Sequence, residues 1–482
     1  MERITPEVKL TSLTPDEVWQ KLDLDHPELE QVKALQESGN EEAAALRLLA
    51  YYRRRYPLQE STTQEADRAG ADSITRHVFQ FGPYEPADYG DQLQWESDPR
   101  QDIEWVASLY RFPWAATLAT AYTQTRDERY AEAFVELTAD WIAKHPLESR
   151  MMQHPVYTNW VDFPWLDIQT GIRATNICRA FKTLVHAEAF TPEFLLTLMA
   201  SLYDHQVKTK RLPMGQVHNK AIFEQRWFVN VATTFPEFRE SRDWLTLALE
   251  RTEESLLAQT TEDGVQREWS GGYHSGVLRD AVEIMDKMAA AGLEASEAYG
   301  QRVRRMYDYI FWISTPDLGY PLFGDCSRPW PSPEEREKMP FHPILKEASE
   351  RFDDPKYAAL ADLQPDLLPR QTSCAFADAG MYALRSEWGP EQIYMALHCS
   401  PPAISGHDQP DNGTFELYGL GRWLMTDSGF YVYGHDPVAR TWHRQTCVHQ
   451  TLTLNEEDTT VEGKLLLWQT SDDGDVLAVQ NP

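Results

Sequence analysis

At 482 residues the chain has room for two or three domains with substantial cores. Its 45 basic against 75 acidic residues leave a net charge of −30, which excludes a general binder of nucleic acid or of an anionic membrane. Five scattered cysteines without a CxxC pair exclude a disulfide framework and a zinc module, while 16 Trp and 21 Tyr supply flat aromatic faces of the kind that meet sugar rings.

The opening Met1-Glu2-Arg3-Ile4-Thr5-Pro6 has no apolar targeting core, and no run reaches membrane-spanning length. A periplasmic or secreted location is expected only if a leader has been removed. From Pro15 to Tyr56 the pattern is helical. Asn40 is placed to cap a helix through Glu41–Tyr52 that closes on Arg53-Arg54-Arg55, three cations at the negative end of the dipole. Residues 57–100 are polar and turn-rich and read as a long connection or arm. Ile103–Tyr122 and Tyr130–Ile142 form a predicted helical pair, with apolar residues at three- and four-residue steps.

Thr191-Pro192-Glu193 combines an N-cap, a proline at the first helical position and an acid, opening a helix over Phe194–Leu202. Helices are predicted over His218–Val231, Trp244–Leu257, Val277–Ala291 (ended by Gly292) and Gln301–Ser314. Roughly ten helices without a fixed repeat favour a closed (α/α) toroid over a solenoid. After Pro365-Asp366-Leu367-Leu368-Pro369 the pattern becomes short and strand-like: Met381–Arg385, Gln392–His398, Thr414–Tyr418, Trp423–Thr426, Phe430–Tyr433, His449–Leu454 and Leu465–Thr470. The expectation is a helical domain over 1–368 and an antiparallel β-sandwich over 369–482, with a cleft where they meet.

The stretch Ile404–Leu454 delivers a His, Asp or Arg at each turn, as a polar β-meander or an acid/base or metal site would. Three helical-domain stretches are its candidate partners. Gln216-Val217-His218-Asn219-Lys220 reads as a helix cap or as donors aimed into a cavity; Arg267-Glu268-Trp269-Ser270-Gly271-Gly272-Tyr273-His274 places a Tyr-His pair after a freed backbone; Phe323-Gly324-Asp325 reads as a structural turn. Asn, Tyr and His without an obvious pair of catalytic carboxylates suit elimination from a uronic acid. That chemistry requires the carboxylate to be neutralised, the C5 proton removed and the leaving oxygen protonated.

The runs His407-Asp408-Gln409-Pro410-Asp411-Asn412-Gly413-Thr414-Phe415-Glu416-Leu417, Asp427-Ser428-Gly429-Phe430-Tyr431-Val432-Tyr433 and Arg444–Leu454 resemble those of the heparinase II/III group of polysaccharide lyases. The closest resemblance is to the heparan-sulfate lyases of polysaccharide lyase family 12. Asn219 with Phe223-Glu224, Phe235-Pro236-Glu237-Phe238, Tyr273-His274 and Leu49-Ala50-Tyr51-Tyr52-Arg53 extend it over nearly the whole chain.

The resemblance implies an incomplete (α/α) toroid followed by an antiparallel β-sandwich, and elimination at glucuronate–glucosamine linkages of an acidic polysaccharide. In that reading Asn219 neutralises the substrate carboxylate, Tyr273 is the acid or both acid and base, and His407 is the matching base or charge stabiliser. His218, Glu224, His274 and Arg444 border the substrate. Gln409, Asp427 and His449 match the positions of a structural metal, calcium or zinc, and no organic cofactor is implied. Gln409 stands where many relatives carry a second His, and Lys220 follows Asn219 where the family has a His. The family's sandwich continues beyond Gln480-Asn481-Pro482, so a shortened or cut sheet is expected. Competing expectations are a lyase on alginate or another uronate polymer, a non-catalytic glycan binder, and a toroidal glycoside hydrolase using Asp162, Glu268 or Asp325.

Overall fold

The computed structural model describes residues 9–58, 66–215, 217–327, 333–389, 391–434, 436–459 and 462–481; the opening Met1–Pro6, Gln216 and Pro482 lie outside the described residues. Local capping chemistry starts several helices where the sequence places it. The Asn40 side chain accepts from Ala43 N at 3.2 Å and opens Glu41–Arg55, and Thr191 accepts from Phe194 N at 3.2 Å and opens Pro192–Arg211.

Three segments of the helical part depart from expectation. The predicted helix Ile103–Tyr122 is two helices, Ile103–Arg111 and Pro113–Thr125. Pro113 has no N–H and cannot sit inside a helix, so the buried Phe112 takes φ +60° and the second helix begins on the proline. Within 57–100 the chain is not a bare connection. It holds a helix, Arg68–Ile74, capped by Asp67, and a small antiparallel pair, β1 (Val78–Phe79) with β2 (Ala87–Asp88). Gln169–Leu184 is a helix whose buried face includes Gln169, Thr170, Arg173 and Thr175, which breaks the apolar period that would have marked it.

The chain forms two compact units, Met1–Met214 with Phe223–Ala248, and Gly215–Ile222 with Leu249–Pro482. In the first, the fully buried Glu237 accepts hydrogen bonds from Tyr51 (2.5 Å) and Tyr52 (2.8 Å), beneath a cluster of Tyr52, Phe181 and Phe235. Two of the motifs quoted above therefore meet around one buried carboxylate.

The second unit contains the helices Gly271–Ala290 and Glu297–Ile313 and then an antiparallel five-stranded meander. Its strands are β3 (Cys374–Phe376), β4 (Met381–Arg385), β5 (Tyr394–His398), β6 (Phe415–Gly419) and β7 (Arg422–Met425). Leu420 and Gly421, both at positive φ, make the tight turn between β6 and β7. β8 (Lys464–Gln469) pairs with β9 (Val476–Gln480). The change from helix to strand near residue 370 falls inside this unit.

Phe430–Tyr433 and His449–Leu454, predicted as strands, are not strands. Phe430 N is taken by the carbonyl of Cys326, and His449 N closes a 3-10 turn on Thr446. Their alternation reflects side chains engaged one by one rather than a ladder. Among the described residues no helix is long and apolar enough to cross a membrane.

Glu237→Gln leaves one tyrosine hydroxyl facing an amide N–H₂ in a buried site, and is expected to lower unfolding stability by about 1–3 kcal/mol. Urea denaturation of the two proteins measures it; an unchanged midpoint would show that this carboxylate does not hold the first unit together.

Candidate active site

Glu268 ends a short loop ahead of the helix Gly271–Ala290, and its side chain is fully buried. Its Oε1 accepts from the backbone N of Asn219 at 2.8 Å and its Oε2 from Asn219 Nδ2 at 2.7 Å. Asn219 opens the helix Asn219–Thr234, so an anion accepts from the first backbone N–H at a positive helix end. A carboxylate only accepts, which turns the Asn219 nitrogen toward Glu268 and leaves that nitrogen one further proton to donate. His407 Nε2 lies 3.9 Å from the same Oε2. Tyr273, in the first turn of Gly271–Ala290, stacks on the His407 ring at 3.7 Å with planes 20° apart. Its hydroxyl shares a 2.7 Å hydrogen bond with that of Tyr433.

Behind His407 stands Asp325. Gly324, at φ +64°, makes this possible: a Cβ there would fall 2.7 Å from the His407 carbonyl, which accepts from Asp325 N at 2.7 Å. The buried Asp325 carboxylate takes both Arg440 nitrogens at 2.7 Å, Arg444 Nη1 at 3.2 Å and His407 Nδ1 at 3.0 Å. Burial alone would raise its pKa, but the bonds from His407 and Arg440 outweigh it and hold the group below the usual carboxylate range. An ionised Asp325 requires the proton on His407 Nδ1, so Nε2 is the nitrogen that faces outward chemistry. Burial pushes the Tyr273 phenol up to about 12, with the Tyr433 hydrogen bond opposing and the charges of Asp325 and Glu268 adding. Near neutral pH Tyr273 is therefore a protonated donor.

The structure thus brings Asn219, Tyr273 and His407 together, with Arg444 bonded to Asp325 and to the carbonyls of Gly406 (3.1 Å) and Asp408 (2.8 Å). Other expected contacts are elsewhere. His274 does not border an open site. It is 1% exposed, its Nε2 bonds the Met306 carbonyl at 3.0 Å, its Nδ1 receives Gln266 N, and burial depresses its pKa to about 4. Glu224 belongs to the first unit, where its Oε2 accepts from Met214 N at 2.9 Å. His218 is half-buried next to Asn219, and its carbonyl receives Ala221 N. Of the hydrolase candidates, Asp162 pairs with Arg150 at 3.1 Å in the first unit, while Glu268 and Asp325 are buried against protein donors. The sequence reading missed Arg440, Tyr433 and the supporting role of both acids.

Residues 18–342 match the heparinase II/III N-terminus family, and residues 369–474 the heparinase II/III-like C-terminal family. The chain belongs to the heparinase II/III family. Among similar proteins, a heparin-sulfate lyase of Bacteroides stercoris is 30% identical over 97% of this chain and 72% of its own length. One from Pedobacter heparinus is 31% identical over 96% and 71%. A crystal structure of heparinase III superposes with a TM-score of 0.83 at 25% identity, covering 97% of this chain and 75% of that one. The heparan sulfate lyase HepC from Pedobacter heparinus gives 0.71 at 29%, covering 98% and 75%. The fold is accordingly heparinase III-like, a mostly helical N-terminal domain followed by a C-terminal antiparallel β domain.

In this heparinase II/III family member two of the three residues expected to hold a metal, Asp427 and His449, lie in one buried cluster with Asp411. The three bring one ligand atom each within 4.8 Å of one another. His449 Nδ1 meets the Asp427 oxygens at 3.1 and 2.9 Å. Gln409 instead spends its amide nitrogen on the carbonyls of Gly324 and Gly429, although its Oε1 is left without a hydrogen bond. Both Asp411 oxygens and His449 Nε2 also lack hydrogen-bond partners; His398 Nδ1 approaches Asp411 Oδ1 to 3.1 Å without hydrogen-bond alignment. Buried acceptors left over in one cluster fit a divalent cation: oxygen-rich for calcium, with an imidazole for zinc. Such an ion would neutralise the two carboxylates and tie the 409–411 turn to Asp427 and His449. A pocket of about 310 Å³ lined by Asp408, Gln409, Asp411 and Arg444 reaches the 409–411 turn.

Chelator-treated protein is expected to gain roughly 3 °C or more in Tm when calcium or zinc is restored. Asp411→Asn should abolish that gain. A Tm indifferent to both ions would remove the metal from this cluster.

Proposed function

We propose that the protein is a polysaccharide lyase that cleaves glucosamine–uronic acid linkages of heparan sulfate, or a similar low-sulfate glycosaminoglycan, by β-elimination. The observation that carries this is the meeting of the Asn219 amide and the His407 ring on one oxygen of the buried Glu268, with Tyr273 stacked on that ring. The names and extents of the similar heparin-sulfate lyases support the substrate class.

The free Nδ2 proton of Asn219 hydrogen-bonds the uronate carboxylate and disperses the charge that grows there as C5 loses its proton. His407 Nε2, freed by the Nδ1 bond to Asp325, accepts that proton. Electrons of the broken C5–H bond form the C4=C5 double bond, the C4–O bond breaks, and the departing oxygen takes the phenolic proton of Tyr273. A phenol held up to about 12 favours the acid role for Tyr273 and the base role for His407. The two groups lie face to face, which suits a uronate whose C5 hydrogen and C4 oxygen project to the same side, as in glucuronate. We read the helices as the incomplete (α/α) toroid and the meander as part of the antiparallel sandwich that the family resemblance implies.

Incubation with heparan sulfate should yield products with the short-wavelength ultraviolet absorbance of a 4,5-unsaturated uronate. Tyr273→Phe and His407→Ala should each reduce its rate of appearance by on the order of 10²-fold or more. Full activity in both variants would sink the assignment, and saturated products would point to hydrolysis.

A net charge of −30 repels dense sulfate, and Arg440 and Arg444 are already engaged by Asp325. Turnover should therefore be higher on sparsely sulfated heparan sulfate than on fully sulfated heparin. The reverse order, measured at equal uronate concentration and ionic strength, would contradict this substrate preference.

A further inference from the structure

We propose that Arg440 is a positioning residue for the proton-transfer pair, tying the carboxylate that orients His407 to the hydroxyl that orients Tyr273. Arg440 lies in the short helix Pro437–His443, which Asp436 caps by accepting from Val438 N (3.1 Å) and Ala439 N (2.9 Å). From there its two terminal nitrogens reach both oxygens of Asp325 at 2.7 Å in a planar fork, with the side chain only 17% exposed. The same guanidinium lies 4.8 Å from the centre of the Tyr433 ring. Tyr433 in turn bonds the Tyr273 hydroxyl at 2.7 Å, and its own hydroxyl is 3.5 Å from His407 Nδ1.

One cation therefore touches the partner of the base and the partner of the acid. Its fork fixes the rotation of the Asp325 carboxylate, and hence the direction from which Oδ2 meets the imidazole. Its face fixes the ring of Tyr433, and hence where the Tyr273 proton points. Lysine could supply the charge but neither the two-point grip nor the flat face. Misplacement of reacting groups by a fraction of an ångström to one ångström is enough to slow a proton transfer strongly. Arg440 has no direct role in binding the polymer in this arrangement, so its loss should fall on kcat.

The inference rests on the lyase reading, and the test separates the two. On low-sulfate heparan sulfate, Arg440→Met is expected to lower kcat by about 10- to 100-fold with KM within about twofold. Added guanidinium ion should restore part of the rate, and methylammonium should not. Arg440→Lys should remain close to the Met variant. A lowered Tm with a uniform loss of active protein, unresponsive to guanidinium, would overturn the proposal.

An activity-independent measurement uses tyrosine carrying carbon-13 at Cζ, with Tyr273 and Tyr433 assigned through their Phe variants. Both resonances should move in Arg440→Met; two unmoved resonances would overturn the tether. If Arg440→Met does not fold, Tyr433→Phe replaces it. That variant keeps the ring under the guanidinium but removes the hydroxyl, and it must move the Tyr273 resonance for the proposal to stand. A native protein silent on every uronate polymer would defeat the lyase reading, and the labelled spectra would then judge the tether alone.

Discussion

Burying the Asp325 carboxylate costs several kcal/mol before any contact is made, and much of the site is the set of groups that offset this cost. Arg440 grips both oxygens, Arg444 adds a third cationic contact, and His407 takes the remaining direction. These donors come from two separate stretches, the turn at 406–408 and the segment 437–444. The charge of one residue at a glycine-dependent turn thus draws both stretches to the same place. Removing any one donor leaves a buried anion short of partners, which makes the arrangement cooperative.

Glu268 plays a parallel part on the other side of His407. It is equally buried, but its donors are neutral: the first backbone N–H of a helix and the amide of Asn219. The two acids do different work because their surroundings differ. Asp325 is held among cations and sets an imidazole tautomer; Glu268 is held by a helix end and an amide and sets the direction of a donor. Between them the imidazole has an anion on each ring nitrogen, at 3.0 Å on one side and 3.9 Å on the other. The phenol stacked against it feels both charges, and they add to burial in keeping Tyr273 protonated.

How much of this was legible in the sequence follows from the range over which each feature is encoded. Caps at Asn40 and Thr191 are three-residue chemistry and were readable. The strands β4 to β8 were readable because each is a short run rich in aromatic and aliphatic residues set off by turns. The break at Phe112-Pro113 was readable in principle from the proline, but apolar periodicity ran through it and hid it. Gln169–Leu184 was hidden for the opposite reason, since polar groups such as Arg173 occupy its buried face. Asn219, Tyr273 and His407 were found through motif resemblance. Arg440 was not, because nothing local marks an arginine whose partner lies 115 positions away. That Asp411 joins Asp427 and His449 in one buried cluster likewise depends on long-range packing that no local pattern marks.

The two hydrogen bonds that Asn219 donates to Glu268 narrow what position 219 can be. Of its amide protons, one is committed to the scaffold and one is left for a ligand. A hydroxyl side chain has a single proton and would have to choose between the two. An aspartate would present oxygen to oxygen and bring a second negative charge into a dry corner. A lysine or arginine has protons in excess, but would form an ion pair with Glu268 and lose the neutrality on which the proposed mechanism relies. The preference for an amide at position 219 is therefore set from behind, by the buried acid that holds it.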